Sequence, residues 1–156
     1  MIVSQLNYND YASYDEFEEE CYKIYLNAWS ANPTFNKKPI YRNTNITDKE
    51  KEADFWSIVE GHNECRVFEH LERYITIPFF KYVLSNVQNS LNGETDDIIW
   101  HTEQRNINII SKTYNYLIIV TERKEKCFFV TAFPISEKKK NKKIKAWEFE
   151  KKYNCA

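Results

Sequence analysis

The stretch YNYLIIVTERKEKCFFVTAFPI, Tyr114–Ile135, consists of two apolar runs joined by a short charged turn, RKEK. Both runs are rich in β-branched and aromatic residues, which predicts a hairpin with strands at Tyr114–Glu122 and Cys127–Ile135. Because each run is almost continuously apolar, we expect both strands to lie centrally in a sheet and to be covered by helices.

The segments on either side of this hairpin predict an α+β fold. Two further strands are expected just before it, at Ile98–Glu103 and Asn106–Lys112, which makes a four-stranded antiparallel meander. A lysine-rich helix follows it. The N-terminal half shows helical periodicity with capping and breaking signals. It predicts a helix at about Tyr14–Trp29 after Ser13, a loop at Ala31–Ile46, a helix from Thr47 to near Gly61, a short helix in RVFEHLERY, and a helix starting at Pro78.

Length and composition narrow the class of protein. A chain of 156 residues is predicted to form a single domain, and its two glycines leave no room for a glycine-rich phosphate loop. The four cysteines show no CxxC spacing and the histidines no metal-binding spacing, so neither a metal nor a cofactor is expected. Without a signal peptide or a membrane-spanning run, a cytoplasmic location and no membrane partner are expected.

Within IIWHTEQRNINII, His101, Glu103 and Arg105 recur at every second position. On a strand this spacing places all three side chains on one face. RNA cleavage by the ribose 2′-hydroxyl needs a base, an acid and a cation that stabilises charge on the phosphate, and these three residue types supply such groups. The other interpretation is an ordinary charged surface on a half-buried strand.

Two basic segments are candidate RNA contacts. Eight lysines against two glutamates occur from Lys138 to Lys152, and they include Lys142, Lys143 and Lys145. A second cluster contains His62, Arg66, His70 and Arg73, of which Arg66 is an RNA-binding candidate. Basic segments can guide phosphates to a nearby site, although a solvated helix and helix-capping ion pairs explain the same patterns.

From about Asp54 to Lys145 the chain resembles small phage- and toxin-associated ribonucleases of the barnase–EndoU–colicin–RelE-like (BECR) fold superfamily. The motifs that carry the resemblance are DFWSIVEG, HLERYITIPFF, the IIWHTEQR strand and the hairpin ending in FFVTAFPI. The resemblance implies a ribonuclease-like region at 54–145, preceded by a helical N-terminal extension at 1–50.

The resemblance marks Arg73, Glu103, Arg105, Arg123 and Thr131 as site positions. His101 comes from the strand spacing. Two positions depart from the pattern, because Ser57 replaces an expected histidine and Phe133 replaces an expected tyrosine. His62 lies five residues after Ser57 and is a possible substitute for the histidine.

Two hypotheses about function follow. The first is a metal-independent endoribonuclease, a toxin or phage-related effector that acts on RNA and is neutralised by an antitoxin or immunity protein. In it, Glu103 or His101 is the base, Arg105 and Arg73 stabilise the phosphorane, and Thr131 holds a phosphate oxygen. The alternative is a non-catalytic interaction protein of the same fold, such as an antitoxin, immunity or adaptor component. The RNA substrate and the oligomeric state are left open.

Overall fold

A computed structural model describes residues 2–61 and 67–153, with the backbone only at 67–70 and 153. The fold is α+β, as predicted. Its helices are α1 (Tyr14–Ser30), α2 (Ala53–Val59), α3 (Val67–Ile75), α4 (Ile77–Leu91) and α5 (Glu137–Tyr153). Its strands are β1 (Thr34–Phe35), β2 (Lys38–Tyr41), β3 (Ile98–Glu103), β4 (Asn106–Ser111), β5 (Tyr116–Glu122) and β6 (Cys127–Pro134).

The sheet has six strands in the order β1-β2-β6-β5-β4-β3. The predicted meander is confirmed, since β3 to β6 pair antiparallel in sequence order. The expectation of a loop throughout Ala31–Ile46 is wrong, because β2 pairs in parallel with β6 through Ile40 and Cys127. The parallel partner of β2 is distant in the sequence, and its local pairing with β1 involves only Lys38 and Pro39, which explains why the local sequence does not show the strand.

The start of α1 follows the predicted capping pattern. The Ser13 hydroxyl accepts a hydrogen bond from the Glu16 N–H at 3.2 Å, and the Glu16 carboxylate accepts one from the Ala12 N–H at 3.2 Å. These contacts satisfy N–H groups that a helix start leaves without partners.

The predicted start of the second helix at Thr47 is wrong. Thr47 makes no capping hydrogen bond through its side chain, and α2 begins only at Ala53. A short turn at Asp48–Glu50 intervenes, with Lys49 and Glu50 in the left-handed region of the backbone. This turn places Lys51 and Glu52 in buried positions, where the lysine pairs with Glu19 and the glutamate with Arg42.

The two faces of the sheet pack against different helices. One face, with Tyr116, Ile118 and Val120 of β5, belongs to the main core together with α1, α2 and α4. The opposite face carries a smaller cluster in which Ile99, Ile110, Leu117 and Ile135 pack against Ile144 and Trp147 of α5. In the described residues, none of the helices combines the length and apolarity needed to cross a membrane.

Asp97 ties α4 to the sheet. Its carboxylate accepts hydrogen bonds from the hydroxyls of Tyr82, Ser111 and Thr113 at 2.9, 2.6 and 2.6 Å, and from the Thr113 N–H at 2.8 Å. Burial by itself would raise the Asp97 pKa, but the hydrogen bonds outweigh burial and hold this pKa below its ordinary value.

We expect Asp97→Asn to lower the free energy of unfolding by about 1–3 kcal/mol at pH 7, because the amide NH₂ would face hydroxyl donors. Urea denaturation measures the change, with the exposed neighbour Asp96→Asn as the control. Because the folded-state pKa of Asp97 is lowered, its ionised form stabilises the fold fully above the ordinary value of 3.8 and less as the pH falls through the folded-state pKa. The difference between wild type and Asp97→Asn should therefore shrink in acid. Equal losses in the two variants at pH 7 would contradict this role.

Candidate functional site

The register of the sheet aligns two rows of side chains on the face that carries α5. The first row is His101, Asn108, Ile119 and Thr131, and the second is Glu103, Asn106, Thr121 and Phe128. The helix packs on the preceding row, Ile99, Ile110, Leu117 and Phe133. His101 and Asn108, next to the helix, are each 3% exposed, whereas Glu103 and Phe128 at the ends of their strands are exposed. We call the eight residues of the two rows the open face.

Two cavities adjoin the open face at the edge of α5. One, of about 300 Å³, is lined by Glu103, Asn106, Asn108, Ile119 and Phe133 together with Lys139 and Lys143. The other, of about 590 Å³, is lined by His101 and Glu103 and by four lysines of α5, Lys138, Lys139, Lys142 and Lys143. A larger cavity of about 680 Å³ lies between Trp100 and Trp147 and contains none of the predicted site residues.

Glu103 is paired with a lysine of α5. The Lys143 ammonium donates to the Glu103 carboxylate at 2.8 Å and to the Asn108 side-chain oxygen at 3.0 Å. The hydrogen bond and charge of Lys143 lower the Glu103 pKa, so the carboxylate is ionised at neutral pH. The Glu103 side chain is 61% exposed, which leaves it accessible to a ligand.

His101 lies beside this pair but is only 3% exposed. Its Nε2 is buried and has no hydrogen-bond partner among the described residues. Burial, and then the positive charge of Lys143, lower the His101 pKa, although the Thr102 backbone and the Glu103 and Glu150 carboxylates oppose this effect. The imidazole is therefore neutral at physiological pH.

Arg105 does not share the strand face of His101 and Glu103. The strand ends at Glu103, which pairs with Asn106, so Gln104 and Arg105 form the turn between β3 and β4. Gln104 adopts the left-handed backbone conformation that reverses the chain. The predicted three-residue stripe is thus wrong at Arg105, and Lys143 is the cation that contacts Glu103.

Thr131 and Arg73 lie at the β6 side of the open face, away from Glu103. Thr131 shares the first row with His101, three strands away. The Arg73 guanidinium lies 5.4 Å from the centre of the Phe133 ring and donates to the Ile58 carbonyl at 3.3 Å. With about 4.8 Å between neighbouring strands, β3 and β6 lie about 14 Å apart across the sheet. Glu103 and Thr131 are in different rows, so the distance between them is larger than this.

The remaining candidates are more scattered. Arg123 is exposed at the turn between β5 and β6, where its carbonyl accepts a hydrogen bond from Lys38 at 3.0 Å. Lys142 lines the cavity of about 590 Å³, whereas Lys145 is exposed and lines neither cavity of the open face. Arg66 and His62 lie outside the described residues.

Sequence reasoning missed two features of this site. Lys143 is predicted only as an RNA contact, and nothing in the local sequence distinguishes it from the lysines beside it. Asn108 is not a candidate at all, although its position two residues after Asn106 in a strand places both amides on one face.

Comparison of the chain with protein-family models, curated proteins and solved structures gave no match. Among the side chains that the structure describes, at 2–61 and 71–152, no three His, Cys, Asp or Glu residues lie close enough together to hold a metal ion.

Replacing Lys143 by alanine should raise the Glu103 pKa toward its ordinary value, because the carboxylate loses its main hydrogen bond and charge partner. An NMR titration of the Glu103 carboxyl carbon measures this shift. Since Glu103 is mostly exposed, the free energy of unfolding should change by less than about 1 kcal/mol. Lys142→Ala, one position earlier on the same helix, should leave the Glu103 pKa unchanged; an equal shift in both variants would rule out a specific pair.

The buried His101 should make the protein less stable in mild acid. Its folded-state pKa lies below the ordinary value of 6.5, so between these values the unfolded chain binds the additional proton. The free energy of unfolding should fall as the pH drops below about 6.5, and His101→Leu should reduce that fall. Denaturant unfolding at pH 7.5 and pH 5.5 tests this. His62 and His70 are present in both proteins, so the difference between wild type and variant reports His101. The same pH dependence in wild type and variant would contradict the prediction.

Proposed function

We propose that the protein is a metal-independent endoribonuclease, a toxin or phage-related effector that cleaves RNA through the ribose 2′-hydroxyl. The observation that carries this proposal is the contact between Glu103 and Lys143 on an open sheet face that is flanked by lysines. An ionised carboxylate beside an ammonium group provides a proton acceptor and a phosphate-binding cation in one place.

The proposed reaction begins when Glu103 accepts the proton of the 2′-hydroxyl. The 2′-oxygen then forms a bond to phosphorus while the bond to the 5′-oxygen breaks, which leaves a 2′,3′-cyclic phosphate. The departing 5′-oxygen takes a proton from Lys143 or from water. Lys143 also stabilises the negative charge that builds on the non-bridging oxygens, and Asn108 holds the ammonium toward the open face.

Arg73 and Thr131 are assigned to a phosphate farther along the RNA strand and not to the reacting one. Their side of the open face lies more than about 14 Å from Glu103, too far for both sides to contact a single phosphate group. An RNA strand that lies across β3 to β6 would meet Glu103 and Lys143 first and Thr131 farther along. This assignment makes Thr131 a binding residue.

The alternative of a non-catalytic interaction protein is favoured by two features of the same site. His101 is buried, which limits its contact with a substrate, and Phe133 has no hydroxyl group where the resemblance implies a tyrosine. In that case the open face would bind a partner, such as a cognate toxin, without chemistry. A cleavage assay separates the two functions.

Incubation with total RNA in excess EDTA should yield fragments with 2′,3′-cyclic phosphate ends. Glu103→Gln should lower the cleavage rate on the order of 10²-fold or more, because it removes the proton acceptor and retains the shape of the side chain. Glu94→Gln, in the exposed loop after α4, is the matched control and should cleave at the wild-type rate. Cleavage that stops in EDTA would defeat the scheme, and intact RNA under all conditions would favour the interaction protein.

The same assay should show a larger loss for Lys143→Ala than for Arg105→Ala. The reason is that Lys143 contacts Glu103 directly, whereas Arg105 lies in the turn. Circular dichroism should show both variants folded, because Arg105 is exposed in the turn and Lys143→Ala removes only the methylenes of one side chain, which is 14% exposed. A greater loss for Arg105→Ala would indicate that the cation that stabilises the phosphate lies in the turn and not on α5.

A further inference from the structure

Phe128, the last residue of the second row of the open face, forms an exposed aromatic pair with Tyr41 of β2. Tyr41 is 50% exposed and Phe128 is 39% exposed, and their ring centres lie 6.3 Å apart. The Lys126 ammonium lies 5.5 Å from the Tyr41 ring and 5.3 Å from the Phe128 ring. Val130, two residues after Phe128 in β6, is also 39% exposed.

The strand register connects this pair to Glu103. Tyr41 is opposite Phe128, Phe128 is opposite Thr121, Thr121 is opposite Asn106, and Asn106 is opposite Glu103. Thr121 donates a hydrogen bond to the Asn106 side-chain oxygen at 2.8 Å, which shows that these middle side chains share a face. Three strand spacings from Glu103 to Phe128 amount to about 14 Å, which about four stacked nucleotides span at ~3.4 Å each.

The charge around the aromatic pair favours a polyanion. The adjoining turn exposes Arg123, Lys124 and Lys126 against the single exposed acid Glu125, while Glu122 is paired with Lys38 at 3.0 Å. Exposed aromatic rings next to cations are the arrangement on which unpaired bases stack while their phosphates are neutralised. A protein partner with an acidic, aromatic-binding surface is the competing occupant.

We propose that Tyr41, Phe128 and Lys126 form a base-stacking subsite for single-stranded RNA, about four nucleotides along the strand from the phosphate at Glu103. The inference deepens the proposed function and rests on it for the identity of the ligand. Duplex RNA hides the faces of its bases, so the subsite selects unpaired over paired substrate.

The probe is an octanucleotide that contains one 2-aminopurine, whose fluorescence falls when the base stacks on an aromatic ring. In EDTA and low salt, the wild-type chain should quench the probe. Tyr41→Ala and Phe128→Ala should each weaken binding on the order of tenfold and relieve the quenching. Tyr41→Phe should behave as wild type because it keeps the ring. The matched control is Tyr8→Ala, which removes a ring of 40% exposure in the segment before α1, and this variant should bind normally.

Substrates of two lengths test the subsite independently of the proposed ribonuclease activity. With the Tyr41→Ala/Phe128→Ala double variant, kcat/KM for the octanucleotide should fall at least tenfold, and kcat/KM for a dinucleotide, too short to reach the subsite, should be unchanged. Binding and quenching of the octanucleotide without any cleavage would support the subsite and defeat the ribonuclease. Normal octanucleotide cleavage by the double variant would overturn the subsite and leave the ribonuclease standing.

Two further outcomes also overturn the subsite. One is equal binding of a duplex and a single strand, with both weakened alike by the double variant, since that pattern reports general attraction to phosphates. The other is loss of binding in Tyr41→Phe as large as in Tyr41→Ala. Lys126→Ala, which leaves both rings in place, should weaken binding and reduce its salt dependence even if an alanine variant at Tyr41 or Phe128 fails to fold.

Discussion

The alternation of side chains along β5 constrains the whole arrangement. Tyr116, Ile118 and Val120 must face the main core, so Leu117, Ile119 and Thr121 necessarily face the other side. A shift of one residue would exchange the two sets and expose the most buried part of the strand. Because β4 and β6 pair with β5 on either side, the same alternation determines which residues of the neighbouring strands reach the open face.

The position of α5 follows from the apolar residues on this second face. Ile144 and Trp147 pack on Ile99, Ile110 and Leu117, which holds the helix over one end of the strands. Lys143 immediately precedes Ile144, so this packing positions its backbone, and hydrogen bonds to Glu103 and Asn108 hold its ammonium in place. A cation fixed in this way loses little freedom when a phosphate binds, which is a requirement for an organised catalytic or binding site.

The parts of the fold that were predicted correctly depend on local patterns, and the parts that were missed depend on distant contacts. The four strands from Ile98 to Pro134 and the capping of α1 at Ser13 are visible in residue type and spacing alone. In contrast, β2 joins the main sheet because Ile40 and Tyr41 pair with β6, more than eighty residues away. The same distinction between local patterns and distant contacts applies to the candidate site. His101 and Glu103 were placed on one face by the strand period, but the turn at Gln104 removed Arg105, and only tertiary structure brings Lys143 to Glu103.

Glu103 is more accessible than the buried carboxylates of the N-terminal half. Glu52 is buried between Arg42 and the Tyr25 hydroxyl, and Glu18 is buried beside Lys49, Lys51 and Tyr74, so these groups are occupied in holding α1 and the segment before α2. Removing a partner from such a buried carboxylate would cost stability. Glu103, by comparison, keeps most of its side chain in solvent, and its carboxylate pairs with Lys143 of α5. A phosphate that approached Lys143 would compete with Glu103 for the ammonium, which would loosen the ion pair and leave the carboxylate available to accept a proton.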